Sequence, residues 1–178
     1  QRDSRKPIIE DGTLQDDQNR RDFTINAMAY NDEKGLVDVF GGMEDLERGV
    51  IRCVGDPKER FLEDALRMMR GVRFSAQLGY EIVPETKAAI KELAPTLNNI
   101  SAERIQVELV KLLMSPHPDY LKTAYEVGLT REFLPEFDIC METTQHNPHH
   151  LYSVGEHTLQ TLQAVRADRV LRLTMLFH

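Results

Sequence analysis

A chain of 178 residues, 41% hydrophobic and 29% charged, is long enough to bury a core without disulfide staples. Its two cysteines, Cys53 and Cys140, share no CxxC spacing, which sets aside a disulfide framework and a thiolate zinc site. No apolar run approaches the ~20 residues of a membrane span, and the opening QRDSRKPIIEDG carries no signal-peptide core, so a cytoplasmic protein, neither secreted nor inserted, is expected.

The formal net charge of −7 speaks against a broad nucleic-acid footprint, because phosphate binding needs clustered Lys and Arg. Between Arg48 and Arg73, however, seven basic residues stand against four acidic ones. Such a basic stripe on an acidic body suits a phosphate-bearing ligand held at one place.

In chain order, residues 22–31 (DFTINAMAYN) are expected to begin a helix capped by Asp22. Residues 36–40 (LVDVF) alternate apolar and polar before Gly41 and Gly42, which reads as a strand ending in a turn; the glycine pair is assigned a hinge. A small helical element (MEDLERG) separates it from a second strand at 50–54, and the two strands look like the closing edge of one sheet. Asp56, Pro57 and Glu59 then mark a strong helix start. One helix is expected to run to about Leu78, with Phe61, Ala65, Met68, Met69, Val72 and Ala76 as its buried stripe and Gly79 as its stop. Further helices are expected at 84–93, 101–114 behind Ser101, 118–127, and from about 151 onward. The fold class is α+β, mainly helical: a sheet remnant followed by an all-α part.

Three constellations carry chemistry. In RRDFTINAMAY, Arg20 and Arg21 offer forked donors matched to phosphate oxygens beside Asp22, although the spacing alone favours two solvated arginines at a helix start. In EDALRMMRGVRF, Asp64 and Arg67 stand three apart, followed by Arg70 and Arg73, placing one carboxylate and a ladder of arginines along a helical strip. Intrahelical ion pairs such as Arg60 with Asp64 and Glu63 with Arg67 account for the charges at a few tenths of a kcal/mol each. They do not account for three arginines at threefold spacing without an anion. The third constellation is His146, His149 and His150, then His157 and the terminal His178, a histidine set without a carboxylate partner.

RRDFTINAMAY and FLEDALRMMRGVRFSAQLGY resemble two signature motifs of class II tRNA nucleotidyltransferases and bacterial poly(A) polymerases, and VDVFGGMEDL resembles the motif between them. The resemblance implies that Arg20, Arg21, Arg70 and Arg73 help to bind the incoming nucleotide, that Asp22 lies by its sugar, and that Asp64 and Arg67 read its base. It implies a C-terminal part of a nucleotidyltransferase head at 1–55, a helical neck with the nucleotide-recognition helix at 56–115, and a helical body opening an HD-like domain at 116–178. HNPHHLYSVGEHT followed by LRLTMLFH resembles the opening of an HD domain, with His157 and His178 matching its histidines; a scaffold role is expected for them. The catalytic carboxylates that hold Mg²⁺ are expected upstream of this chain, so that the fragment alone is inactive. The implied reaction is template-independent addition of C and A to the tRNA 3′ end from CTP and ATP, releasing pyrophosphate. Poly(A) polymerase is the alternative within the family, an HD phosphohydrolase the alternative of another class, and a noncatalytic RNA-binding module a third.

Overall fold

The computed structural model describes residues 14–32, 35–144 and 152–178. Among the described residues, eleven α-helices and four short strands make an α+β fold dominated by helix, in line with the expected class. Helix α1 (Leu14–Asn19) leads into an extended segment and a 3-10 turn at Thr24–Asn26. The expected helix at 22–31 does not form. Phe23 instead bridges Cys53 in extended conformation, and strand β1 (Ala29–Asn31) pairs antiparallel with β2 (Gly35–Val37). A local helical signal yields here to pairing between distant segments.

The two expected strands also do not share a sheet. β2 belongs with β1, while β3 (Val50–Ile51) pairs in parallel with β4 (Glu81–Ile82), giving two separate two-stranded sheets. Between them, α2 (Gly42–Arg48) is capped by the Asp38 carboxylate, which accepts from the N–H groups of Gly42 at 2.7 Å and Met43 at 2.9 Å. Gly41 takes a left-handed φ of 73°, and a Cβ on Gly42 would meet the Thr24 carbonyl oxygen at 2.3 Å. The glycine pair is thus a helix start packed on the 3-10 turn rather than a hinge.

Asp56 caps α3 (Pro57–Glu63) through the Lys58 N–H, with Pro57 at the first position as expected. The helix then breaks. Asp64 is extended (φ −151°, ψ 105°), and α4 runs separately over Leu66–Leu78 until Gly79 stops it at φ 69°. The break is the physical reason why the single helix expected over 56–78 fails: the Asp64 carboxylate takes the Leu66 N–H, a side-chain bond that competes with the helical ladder. The stripe of Phe61, Ala65, Met68, Met69, Val72 and Ala76 is nonetheless buried throughout, because both segments face one core.

Helix α4 is the hub of that core. It packs against α6 (Ala102–Leu113), α7 (Leu121–Glu126) and both strands of the parallel pair. α5 (Pro84–Leu93) lies on α3, and α8 (Thr130–Phe133), α9 (Pro135–Glu142), α10 (Val154–Ala164) and α11 (Arg169–Phe177) complete the helical part. The buried Arg172 of α11 donates to the main-chain oxygens of Leu113 and Ser115, tying α11 to the end of α6. None of the described helices is long and apolar enough to cross a membrane.

Candidate functional site

Phe23, fully buried, fixes the segment that carries Arg20, Arg21 and Asp22. Its ring meets Phe74 of α4 edge-on at 5.8 Å, and the flanking main chain bonds to the 52–54 segment through Thr24 N to Arg52 O and Val54 N to Asp22 O. The segment therefore lies against the N-terminal half of α4. Between the two runs a cleft of about 440 Å³, lined by Arg20, Arg21, Asp22, Asn26, Asp64, Leu66, Arg67, Arg70 and Arg104. Five guanidinium groups face two carboxylates there, an excess of positive charge suited to a polyphosphate.

Each group is held. Buried Asp22 accepts from its neighbour's N–H (Phe23, 3.0 Å), from Asn26 at 3.4 Å, and from Arg70 Nε at 2.6 Å. Arg21, just past the end of α1, pairs with Asp17 at 2.8 Å in an exposed contact, a weak one that leaves it free to turn to a ligand. Asp64 receives Arg104 on its other oxygen at 2.8 Å. Arg67 donates to Glu63 at 2.5 Å and to the main-chain oxygens of Arg60 and Arg20 at 3.1 and 3.2 Å. Asp64 and Arg67 thus line one cleft with separate partners. A carboxylate retains further acceptor sites and a guanidinium has five N–H groups, so both keep bonding capacity for a ligand.

Six of the seven expected nucleotide-contacting residues, Arg20, Arg21, Asp22, Asp64, Arg67 and Arg70, come together in this cleft. Arg73 does not. It is buried, pairs with Glu108 of α6 at 2.8 Å and stacks on Phe74 at 3.7 Å. One turn beyond Arg70, it faces the α4–α6 contact instead of the cleft. Arg104 and Asn26 are cleft residues that sequence patterns did not single out. Arg104 belongs to a helix distant in sequence, although Glu108, a charge within the apolar stripe of Ile105, Leu109 and Leu112, was a visible sign that α6 carries buried ion pairs.

His157 is half-buried on α10 and His178 is exposed beyond α11, while His146, His149 and His150 lie outside the described residues. Among the described residues no three His, Cys, Asp or Glu side chains gather as a metal site.

Comparison with known proteins gives the family and the fold. Residues 1–52 match the family described as the poly A polymerase head domain, and residues 79–141 the one described as the probable RNA and SrmB-binding site of polymerase A. A CCA-adding enzyme of Leuconostoc mesenteroides subsp. mesenteroides is 54% identical over 102 residues, which are 57% of this chain and 25% of that protein. The Bacillus stearothermophilus CCA-adding enzyme, solved in complex with CTP, superposes with a TM-score of 0.67 at 39% identity, covering 87% of this chain and 35% of that one. A tRNA nucleotidyltransferase solved with a primer tRNA and an incoming ATP analog superposes with a TM-score of 0.64 at 29% identity, over 90% of this chain and 44% of that one.

The fold is that of a nucleotidyltransferase segment. The chain belongs to the class II family of CCA-adding enzymes and bacterial poly(A) polymerases. It spans about a quarter to a third of the length of the curated relatives it matches.

Proposed function

We propose that the protein adds C and A to the 3′ end of tRNA from CTP and ATP without a nucleic-acid template, releasing pyrophosphate, and that the cleft between residues 20–26 and 64–70 selects the nucleotide. The observation that carries this reading is the meeting of Asp64 and Arg67 in one cleft with Arg20, Arg21 and Arg70. Cytosine and adenine both present an amino donor beside an unprotonated ring nitrogen. A carboxylate accepts from the first and a guanidinium donates to the second. Uracil and guanine place a carbonyl against Asp64 and an N–H against Arg67, leaving charged groups unpaired at a cost of about 1–3 kcal/mol. Arg20, Arg21 and Arg70 supply donors for the phosphates, and Asp22, held by Arg70, stands beside them for the sugar. Residues 1–55 are read as head, 56–115 as neck and 116–178 as body, a division supported by the family matches to 1–52 and 79–141. A cytoplasmic location suits this function.

Nucleotidyltransferases of this kind use a divalent metal, Mg²⁺ in our reading. Among the described residues no three His, Cys, Asp or Glu side chains gather as a site for it. The acids that hold it are assigned outside them, and the described residues bind and orient the nucleotide. A poly(A) polymerase is the second reading, favoured by the wording of both family matches. Extension of tRNA lacking its terminal CCA decides between them. Full-length protein given CTP and ATP is expected to add two C and one A; incorporation of A alone, repeated, selects the second reading, and no incorporation of either contradicts both.

A further inference from the structure

Three contacts cross the mouth of the cleft: Arg70 to Asp22, Arg67 to the main-chain oxygen of Arg20, and Arg60 to the main-chain oxygen of Asn19 at 2.6 Å. The first two use side chains that line the cleft. Arg60 does not line it, and neither does Glu63, whose two oxygens join Arg60 at 2.7 Å and Arg67 at 2.5 Å. A closed circuit results: Asn19 O, Arg60, Glu63, Arg67, Arg20 O. It fastens two consecutive carbonyls of the arginine-bearing segment to the junction of α3 and α4.

Resting on the proposed function, we infer that Arg60 and Glu63 form a positioning latch, which sets the distance between the cleft walls and the direction of the Arg67 guanidinium, and through them the discrimination between bases. Two features separate this circuit from an ordinary surface pair. The Arg60 and Arg67 side chains are 17% and 18% exposed and the shared Glu63 46%, whereas both members of the Arg48–Glu44 pair are 62% exposed. Glu63 is the last residue of α3, where the helix dipole disfavours a carboxylate, and the Arg60 Nε is a buried donor without a partner among the described residues. The dipole works against Glu63 there, while its bonds to Arg60 and Arg67 hold the Arg67 guanidinium in one direction, which matters because a displacement of about 1 Å in a positioning group can lower a rate by a factor of ~100.

The test uses full-length protein carrying Arg60→Gln, Glu63→Gln or Arg60→Lys, with Asp64→Ala alongside, and measures thermal midpoint and the ratio of kcat/KM for CTP to that for UTP. The latch predicts that Arg60→Gln and Glu63→Gln each lower the ratio about tenfold, the scale of one charge-assisted hydrogen bond, and that Arg60→Lys, which keeps one donor toward Asn19, recovers part of it. A lowered midpoint with an unchanged ratio makes the pair a fold-stabilising contact and overturns the inference. If Arg60→Gln does not fold, Glu63→Gln and Arg60→Lys decide the question by the same ratio. An unchanged ratio in these variants while Asp64→Ala lowers it defeats the latch alone; an unchanged ratio in Asp64→Ala defeats the base-reading cleft and the latch with it.

Discussion

Arg70 and Arg73 stand one turn apart on α4 and serve different ends. Arg70, about one-third exposed, holds Asp22 at the cleft, while Arg73 is closed against Glu108 with side-chain exposures of 8% and 5%. Removing Arg73 leaves the buried Glu108 to Lys111 at 3.7 Å, so Arg73→Ala is expected to cost about 3 kcal/mol of stability, and Arg70→Ala less, since Asp22 keeps the Phe23 N–H and Asn26. Denaturant unfolding checks this, and a loss under ~1 kcal/mol for Arg73→Ala contradicts it. Cys53 is a second buried group with a measurable signature. Burial pushes its thiol from 9.0 to about 12, against the opposing contact with Thr86. The folded state therefore holds this proton more tightly than the unfolded one. Its contribution is complete below about pH 9 and is lost as pH rises toward 12. The fall in stability over that window is expected to be shallower in Cys53→Ala, and equal slopes contradict the assignment. At pH 8 native Cys53 is expected to resist iodoacetamide, which labels it on unfolding.

At the scale of elements, the break between α3 and α4 shows what local patterns convey and what they do not. The apolar periodicity of Phe61, Ala65 and Met68 runs through the break because both helices face one core, so periodicity reported burial correctly and continuity wrongly. The helices 84–93 and 101–114 were legible, the second behind Ser101 as expected; the first opens on Pro84. The pairing of β1 with β2 and of β3 with β4 was not, since partners as distant as Ile51 and Ile82 leave no mark on each other's local pattern. Arg104 was missed for the same reason, as only the packing of α6 on α4 brings it to Asp64. The glycine pair gives a test of close packing. Gly42→Ala places a methyl against the Thr24 carbonyl, and either α2 or the 3-10 turn must move. A loss of about 1–3 kcal/mol is expected, with weaker CTP binding because Thr24 follows the arginine-bearing segment directly. Unchanged melting and binding contradict this role for Gly42.

In the whole molecule, one helix, α4, touches the segment that carries Arg20 to Asp22, the helix that carries Arg104 and the helical part beyond. In the proposed reading, nucleotide selection is built where the 20–26 segment meets α4 and α6. The chain spans a quarter to a third of its curated relatives, and our reading assigns the acids for Mg²⁺ outside the described residues. The 178-residue chain given Mg²⁺, labelled CTP and tRNA lacking its 3′ end is therefore expected to yield no extension, and robust incorporation contradicts that assignment. Whether Asp64 reads the base is decided by the relative kcat/KM of full-length Asp64→Ala for CTP, ATP, UTP and GTP. Preference for CTP and ATP over UTP and GTP is expected to fall by about tenfold or more, as when a charged acceptor is lost. Preference equal to that of the unsubstituted protein, with activity lowered evenly on all four nucleotides, would contradict base reading by Asp64.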